Sequence, residues 1–281
     1  LNQIVNRLGI LIFPLAATLW LASGCKQERP QHTDAPAQTL LAAEPESDSA
    51  VRNASARASP ANRNVTIQPL SGRAFAVRDF GSAPNGPVNE VLAQLKTQAL
   101  AGDGAASYAI FLKLFECNTL NMRAAKGLPI RDNDAAEQCE ALSAADGITS
   151  TEWLSLAAEQ GNIGAQLFYS MDPASALGGE AAMLRDPDAT LEYKRKATGY
   201  LEGLASQGSA DALLQLGNAY QAGVLVNEDL VASRAYFEAV RLSDPSLVPV
   251  QQIKGLEKEM SSQQLSLALR KGAVIYGSCC R

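Results

Sequence analysis

Five thiols and one imidazole are the side chains in this chain with the widest chemical reach: Cys25, Cys117, Cys139, Cys279, Cys280 and His32. A cysteine can hold a metal, attack a carbonyl or pair with another cysteine, and its neighbours decide which. His32 shares no sequence grouping with the four later cysteines, so no zinc site is expected. The chain also lacks a Gly-x-Ser-x-Gly elbow, a Ser-x-x-Lys pair and a phosphate-cradling glycine loop. Acidic pairs such as Glu228 with Asp229, or Asp132 with Asp134, read as turns and solvated faces. No catalytic residue, metal or cofactor is therefore expected, and the cysteines are left with anchoring and cross-linking.

Cys25 ends the stretch "LNQIVNRLGILIFPLAATLWLASGC", which has a polar start with Arg7, an apolar run of about fifteen residues from Leu8, and small residues at Ala22, Ser23 and Gly24. That is the plan of a secretory signal, and the run is short for a spanning helix and interrupted by Pro14. Its ending resembles the lipobox of bacterial lipoproteins. The resemblance implies cleavage between Gly24 and Cys25 and a diacylglycerol on the Cys25 sulfur. Lys26 in the next position points to the outer membrane, facing the periplasm.

After the signal over residues 1–24, residues 25–87 are crowded with Pro, Ala, Ser, Asn and Gln without an apolar period. They are expected to form a disordered tether with a root-mean-square span of roughly 45 Å. Its first half is mostly acidic, whereas Arg52, Arg57, Arg63, Arg73 and Arg78 crowd the second. These arginines are read as a solvated spacer, with contact to an anionic surface as the sharper alternative. His32 lies in this tether, without the rigid frame a base or ligand needs.

Beyond the tether the chain repeats a skeleton of Leu, Ala, Gly and Ala at steps of four, three and four. It occurs at Leu95, Ala99, Gly102, Ala106; at Leu154, Ala158, Gly161, Ala165; and at Leu201, Ala205, Gly208, Ala212. Leu and Ala four apart share a helix face, Gly suits a left-handed cap, and the second Ala opens the next helix. A helical pair too small to bury its own face must stack on copies of itself. The segment "ADALLQLGNAYQAGVLVNEDLVASRAYFEAV" adds Leu216, Gly217, Tyr220, Gly223, Ala235, Phe237 and Ala239. On these residues the chain resembles the Sel-one-like repeat, a relative of the tetratricopeptide repeat.

The resemblance implies an all-α, right-handed solenoid of helical hairpins over 88–245, closed by capping helices over 246–281. The aromatics Tyr108, Phe111, Trp153, Phe168, Tyr200, Tyr220 and Phe237 lie at helical intervals and are expected in the core. A secretory address places the cysteines in an oxidising compartment, where Cys117 paired with Cys139 would staple a long first link. The state of adjacent Cys279 and Cys280 stays open.

From residue 88 onward 16 basic side chains face 23 acidic ones, which argues against a nucleic-acid partner and for a basic or apolar one. The resulting expectation is a non-enzymatic, lipid-anchored envelope protein that binds another protein or peptide through its repeat surface, with membrane contact through Cys25. The alternatives are a cell-wall enzyme or ligand-binding protein, since some secreted members of the resembling family are linked to penicillin binding, and a structural outer-membrane lipoprotein.

Overall fold

Ala-rich, Leu-rich segments, most of them opened by a capping side chain, favour helix over sheet. The computed structural model describes residues 59–140, 142, 149–177 and 185–281, and in them helices predominate. Helices α1 (Val88–Leu100) and α2 (Gly104–Ala125) are joined by a tight turn, as are α4 (Ser150–Glu159) and α5 (Ile163–Met171), and α7 (Pro187–Ser206) and α8 (Ala210–Ala222). Short helices α3 (Asn133–Gln138) and α6 (Pro173–Leu177) lie in the longer links between these pairs. The chain closes with α9 (Leu230–Ser243), α10 (Val250–Lys258) and α11 (Ser262–Cys279).

Each helix packs on the next in order: α1 on α2, α2 on α4, α4 on α5, α5 on α7, α7 on α8, and α8 on α9. Such a linear stack is the architecture expected from the repeated skeleton, and one continuous apolar core runs through it from Val65 to Cys280. Small residues set the spacing of the stack. At Gly217 an added Cβ would lie 2.7 Å from the Phe237 ring, so α8 and α9 approach through a glycine that leaves room for an aromatic face. Tyr108, Phe111, Trp153 and Phe237 are fully buried, while Phe168, Tyr200 and Tyr220 pack partly buried against the core.

One expectation needs correction. Residues 59–87 do not belong to a disordered tether. They hold a 3-10 turn, Pro60–Asn62, and an antiparallel hairpin of β1 (Thr66–Pro69) and β2 (Phe75–Asp79). Val65, Ala74, Phe75 and Val77 are buried in the common core, which offsets the ordering cost that composition alone left uncovered. Arg63 and Arg73 accordingly do not belong to a free spacer: Arg63 stays half exposed, but both guanidinium groups are engaged within the fold. Arg63 pairs with Asp103, and Arg73 donates to the carbonyl oxygens of Ser278 and Arg281. In the C-terminal helices Ile253 and Leu256 are buried, and α11 turns Ala268 and Gly272 inward while Leu269 is exposed. Gly272 accounts for this, since an added Cβ would lie 2.7 Å from the Ala235 carbonyl oxygen of α9.

Candidate binding surface

The three glycines of the repeated skeleton, Gly102, Gly161 and Gly208, have φ of 102°, 82° and 94°, the left-handed region that favours glycine. Behind each stands a polar N-cap: Asp103, Asn162 and Ser209. Their side chains accept from the backbone amides of Ala106, Ala165 and Ala212, the alanines that complete the skeleton. The final interval of four is therefore a capping interval as well as a packing one. Ala99, Ala106, Leu154, Ala158, Ala165, Leu201, Ala205 and Ala212 are all buried, and Leu95 packs partly buried beside them. In the last unit Leu216, Ala235 and Ala239 are buried, Tyr220 stacks on Tyr236, and Gly223 closes α8 at φ 66°.

Residues 59–81 run across the row of turns and grip each in succession. Arg63 forms a two-pronged bond with Asp103, at 2.9 and 2.7 Å. The Asn162 amide donates to the Ala61 carbonyl at 2.5 Å and to Asn64 Oδ1 at 3.2 Å, while the Ile163 amide donates to Asn62 Oδ1 at 2.7 Å. At the third turn the Phe75 amide donates to the Gly208 carbonyl at 2.9 Å and the Val77 amide to Asp211 Oδ2 at 2.7 Å. Beyond it the Ser71 amide reaches Ser243 O and the Arg73 amide reaches Cys280 O. Asp103 and Asn162 thus both cap a helix and hold this brace. A polar residue after every skeleton glycine was one available signal, and the alternation of Val65 with Ile67 and of Phe75 with Val77 in the brace was another.

These contacts set the local electrostatics. Burial works to raise the Asp103 carboxyl, but the Arg63 guanidinium and the amides of Ala106 and Ala105 outweigh it and hold it below the ordinary range. Asp211 has no cation beside it in the same role. Burial pushes its carboxyl up, only partly opposed by the Val77 amide. Glu238 shows the opposite balance at α9, where burial raises it but bonds from Arg241 and Arg234 bring it down.

Cys117 and Cys139 are joined, with Cα atoms 5.2 Å apart, and the bridge ties α2 to the end of α3. Cys279 and Cys280 are also paired with each other, buried under the brace at the end of α11. Cys25, Gly24 and His32 lie outside the described residues. Among the described residues no group of three His, Cys, Asp or Glu side chains could hold a metal ion, and no helix is long and apolar enough to cross a membrane.

The brace covers one edge of the stack, and surface left uncovered lies elsewhere. Between the end of α5 and α8 runs a groove of about 220 Å³, lined by Ser170, Met171, Gln215, Asn218, Ala219, Ala222, Val224 and Leu225. Met171 and Val224 are 58% and 52% exposed on it, large apolar side chains facing solvent. The carboxylates of Glu228 and Asp229 follow Val224 on the same link and are exposed. The lining offers apolar contact and amide hydrogen bonds, and the Ser170 hydroxyl on it already donates to the carbonyl oxygens of Gln166 and Ala197, which suits the groove to binding.

No protein-family model and no curated protein matches the chain. Among solved structures it is similar to the crystal structure of c5321, described as a protective antigen present in uropathogenic Escherichia coli strains displaying an SLR fold. Identity is 21%, the TM-score is 0.33, and the similarity covers 67% of this chain and 41% of that one, so the chain spans less than half the length of this relative.

Proposed function

We propose that this protein is a non-enzymatic, lipid-anchored envelope protein whose helical-repeat surface holds a segment of another protein. The observation that carries the reading is the α5–α8 groove, where Met171 and Val224 stand exposed beside the amides of Gln215 and Asn218. Exposed apolar side chains rimmed by polar ones mark interaction surfaces. The acidic balance from residue 88 onward, together with the exposed Glu228 and Asp229 on the link that follows Val224, favours a partner segment with an apolar anchor and basic flanks.

The anchor half of the proposal rests on "LASGC" and its resemblance to a lipobox. Replacing Cys25 with Ser should abolish labelling by a fatty-acid analogue and leave the precursor uncut. Persistent labelling would refute the anchor. For the binding half, cross-linking in intact cells should recover the same protein from parent chain and lose it with Met171→Glu, provided that variant melts like the parent. Recovery unchanged by the variant would remove the groove from the function.

A further inference from the structure

Lys113 is 1% exposed in the middle of α2, and a buried ammonium has to be held by acceptors. Its Nζ donates to Glu116 Oε2 at 3.0 Å on the next turn, and to Gln138 Oε1 at 2.8 Å at the end of α3. The same Gln138 oxygen accepts the Gly86 amide at 3.0 Å, from the segment that leads into α1. Three separate stretches of chain thus converge on one side-chain carbonyl. The Cys117–Cys139 bridge clamps them, with Cys139 adjacent to Gln138 and Cys117 one helical turn beyond Lys113.

An amine, a carboxylate beside it and an amide whose oxygen already takes a backbone N–H are the parts of an acyl transfer: nucleophile, proton carrier, electrophile and oxyanion donor. We propose that Lys113 and Gln138 join in an intramolecular isopeptide bond, with Glu116 carrying the protons. Glu116 takes a proton from the Lys113 ammonium, and the freed nitrogen attacks Cδ of Gln138. As the new C–N bond forms, the carbonyl π pair moves onto Oε1, where the Gly86 N–H stabilises it.

Glu116 gives its proton to Nε2 and accepts one from the attacking nitrogen. The oxygen pair returns, the Cδ–Nε2 bond breaks, and ammonia departs with the remaining proton as ammonium. Overall, an ammonium and a primary amide become a secondary amide and a free ammonium ion. No electron changes hands and no co-reactant is consumed. Fixing both groups side by side substitutes for an effective amine concentration of about 10⁵ M or more. The product removes the buried charge, keeps the Gly86 N–H bonded to the new carbonyl, and leaves a cross-link between α2 and α3 that reductant cannot open.

The test is a tryptic map of the full-length chain after denaturation, reduction and alkylation, so that no disulfide holds peptides together. The expected result is one branched peptide joining the Lys113 and Gln138 segments, lighter than their sum by one ammonia, with no cleavage after Lys113. Glu116→Gln should return both peptides in linear form, while its Cys117–Cys139 bridge, mapped without reduction, shows that the region still folds. Linear, unmodified peptides from parent protein that contains the Cys117–Cys139 bridge would overturn the proposal. An undiminished cross-link in Glu116→Gln would overturn the role of Glu116.

Discussion

Gly161 and Gly208 close their helices with nearly the same backbone, φ 82° and 94°, yet their surroundings differ. A Cβ added at Gly161 meets nothing within 4 Å, whereas at Gly208 it would lie 2.8 Å from the Arg73 carbonyl oxygen and 3.3 Å from both Ala74 Cα and the Cys279 carbonyl oxygen. Gly161→Ala should therefore cost only the strain of holding alanine in that backbone region, about 1–3 kcal/mol. Gly208→Ala carries the same strain and must also push the brace away.

Displacing the brace endangers the Phe75 bond to Gly208 and the Val77 bond to the Asp211 carboxylate. At about 1 kcal/mol for the first and about 1.5–3 kcal/mol for the charge-assisted second, Gly208→Ala should fall about 2.5–4 kcal/mol below Gly161→Ala. The loss of unfolded-chain freedom caused by alanine applies to both and cancels in the difference. Urea midpoints at constant slope measure that difference, and hydrogen exchange at residues 75 and 77 locates it. If the two variants unfold within about half a kcal/mol of each other, the brace is not seated on the third turn.

Gly217→Ala should destabilise by about 1–3 kcal/mol, read as a lower melting temperature, because its Cβ would press into the buried Phe237 ring. In the Glu116→Gln background, where Lys113 and Gln138 stay unlinked, Cys117→Ser combined with Cys139→Ser should cost about 3 kcal/mol by the loop-entropy estimate, and reductant should then have no further effect on that link in a urea titration. Asp211 predicts a pH dependence. Its folded carboxyl titrates above its unfolded one, so its contribution is full below the unfolded value and is lost as pH rises through the folded value. Asp211→Asn should consequently gain on the parent in unfolding experiments at neutral pH and lose that gain in acid.

The repeat was legible because its signal is local. Leu154 and Ala158 share a helix face, Gly161 ends the helix, and Ala165 starts the next, all within one turn of chain. The Cys117–Cys139 pair could be inferred from the turn between its members, whereas the adjacent pair at 279 and 280 could not be assigned, since neighbouring Cα atoms are closer than a disulfide ordinarily prefers. The brace was illegible for the opposite reason. Arg63 and Asn64 find their partners at 103 and 105, Asn62 at 163, Val77 at 211 and Arg73 at 280, so nothing near them in sequence announces order. A stretch of Asn, Arg, Ser and Ala whose polar groups are satisfied from a distance has the composition of a spacer. The Lys113 cluster was hidden likewise, its Lys and Gln lying on different helices.

Stacked repeats ordinarily feel only their nearest neighbours, so that one end can melt while the other stays intact. Here a single strand of chain spans the turns at 103, 162 and 208 and is then fastened near 280, which couples units that are not neighbours in the stack. Fraying of α11 has to break contacts with residues 71–73, and those residues are continuous with the strand seated on Gly208. The array should consequently unfold in one step rather than peel from its C-terminal side. Its folding should be ordered in time as well: the turns form from local contacts, and the strand, whose partners stand up to 208 residues away, docks last.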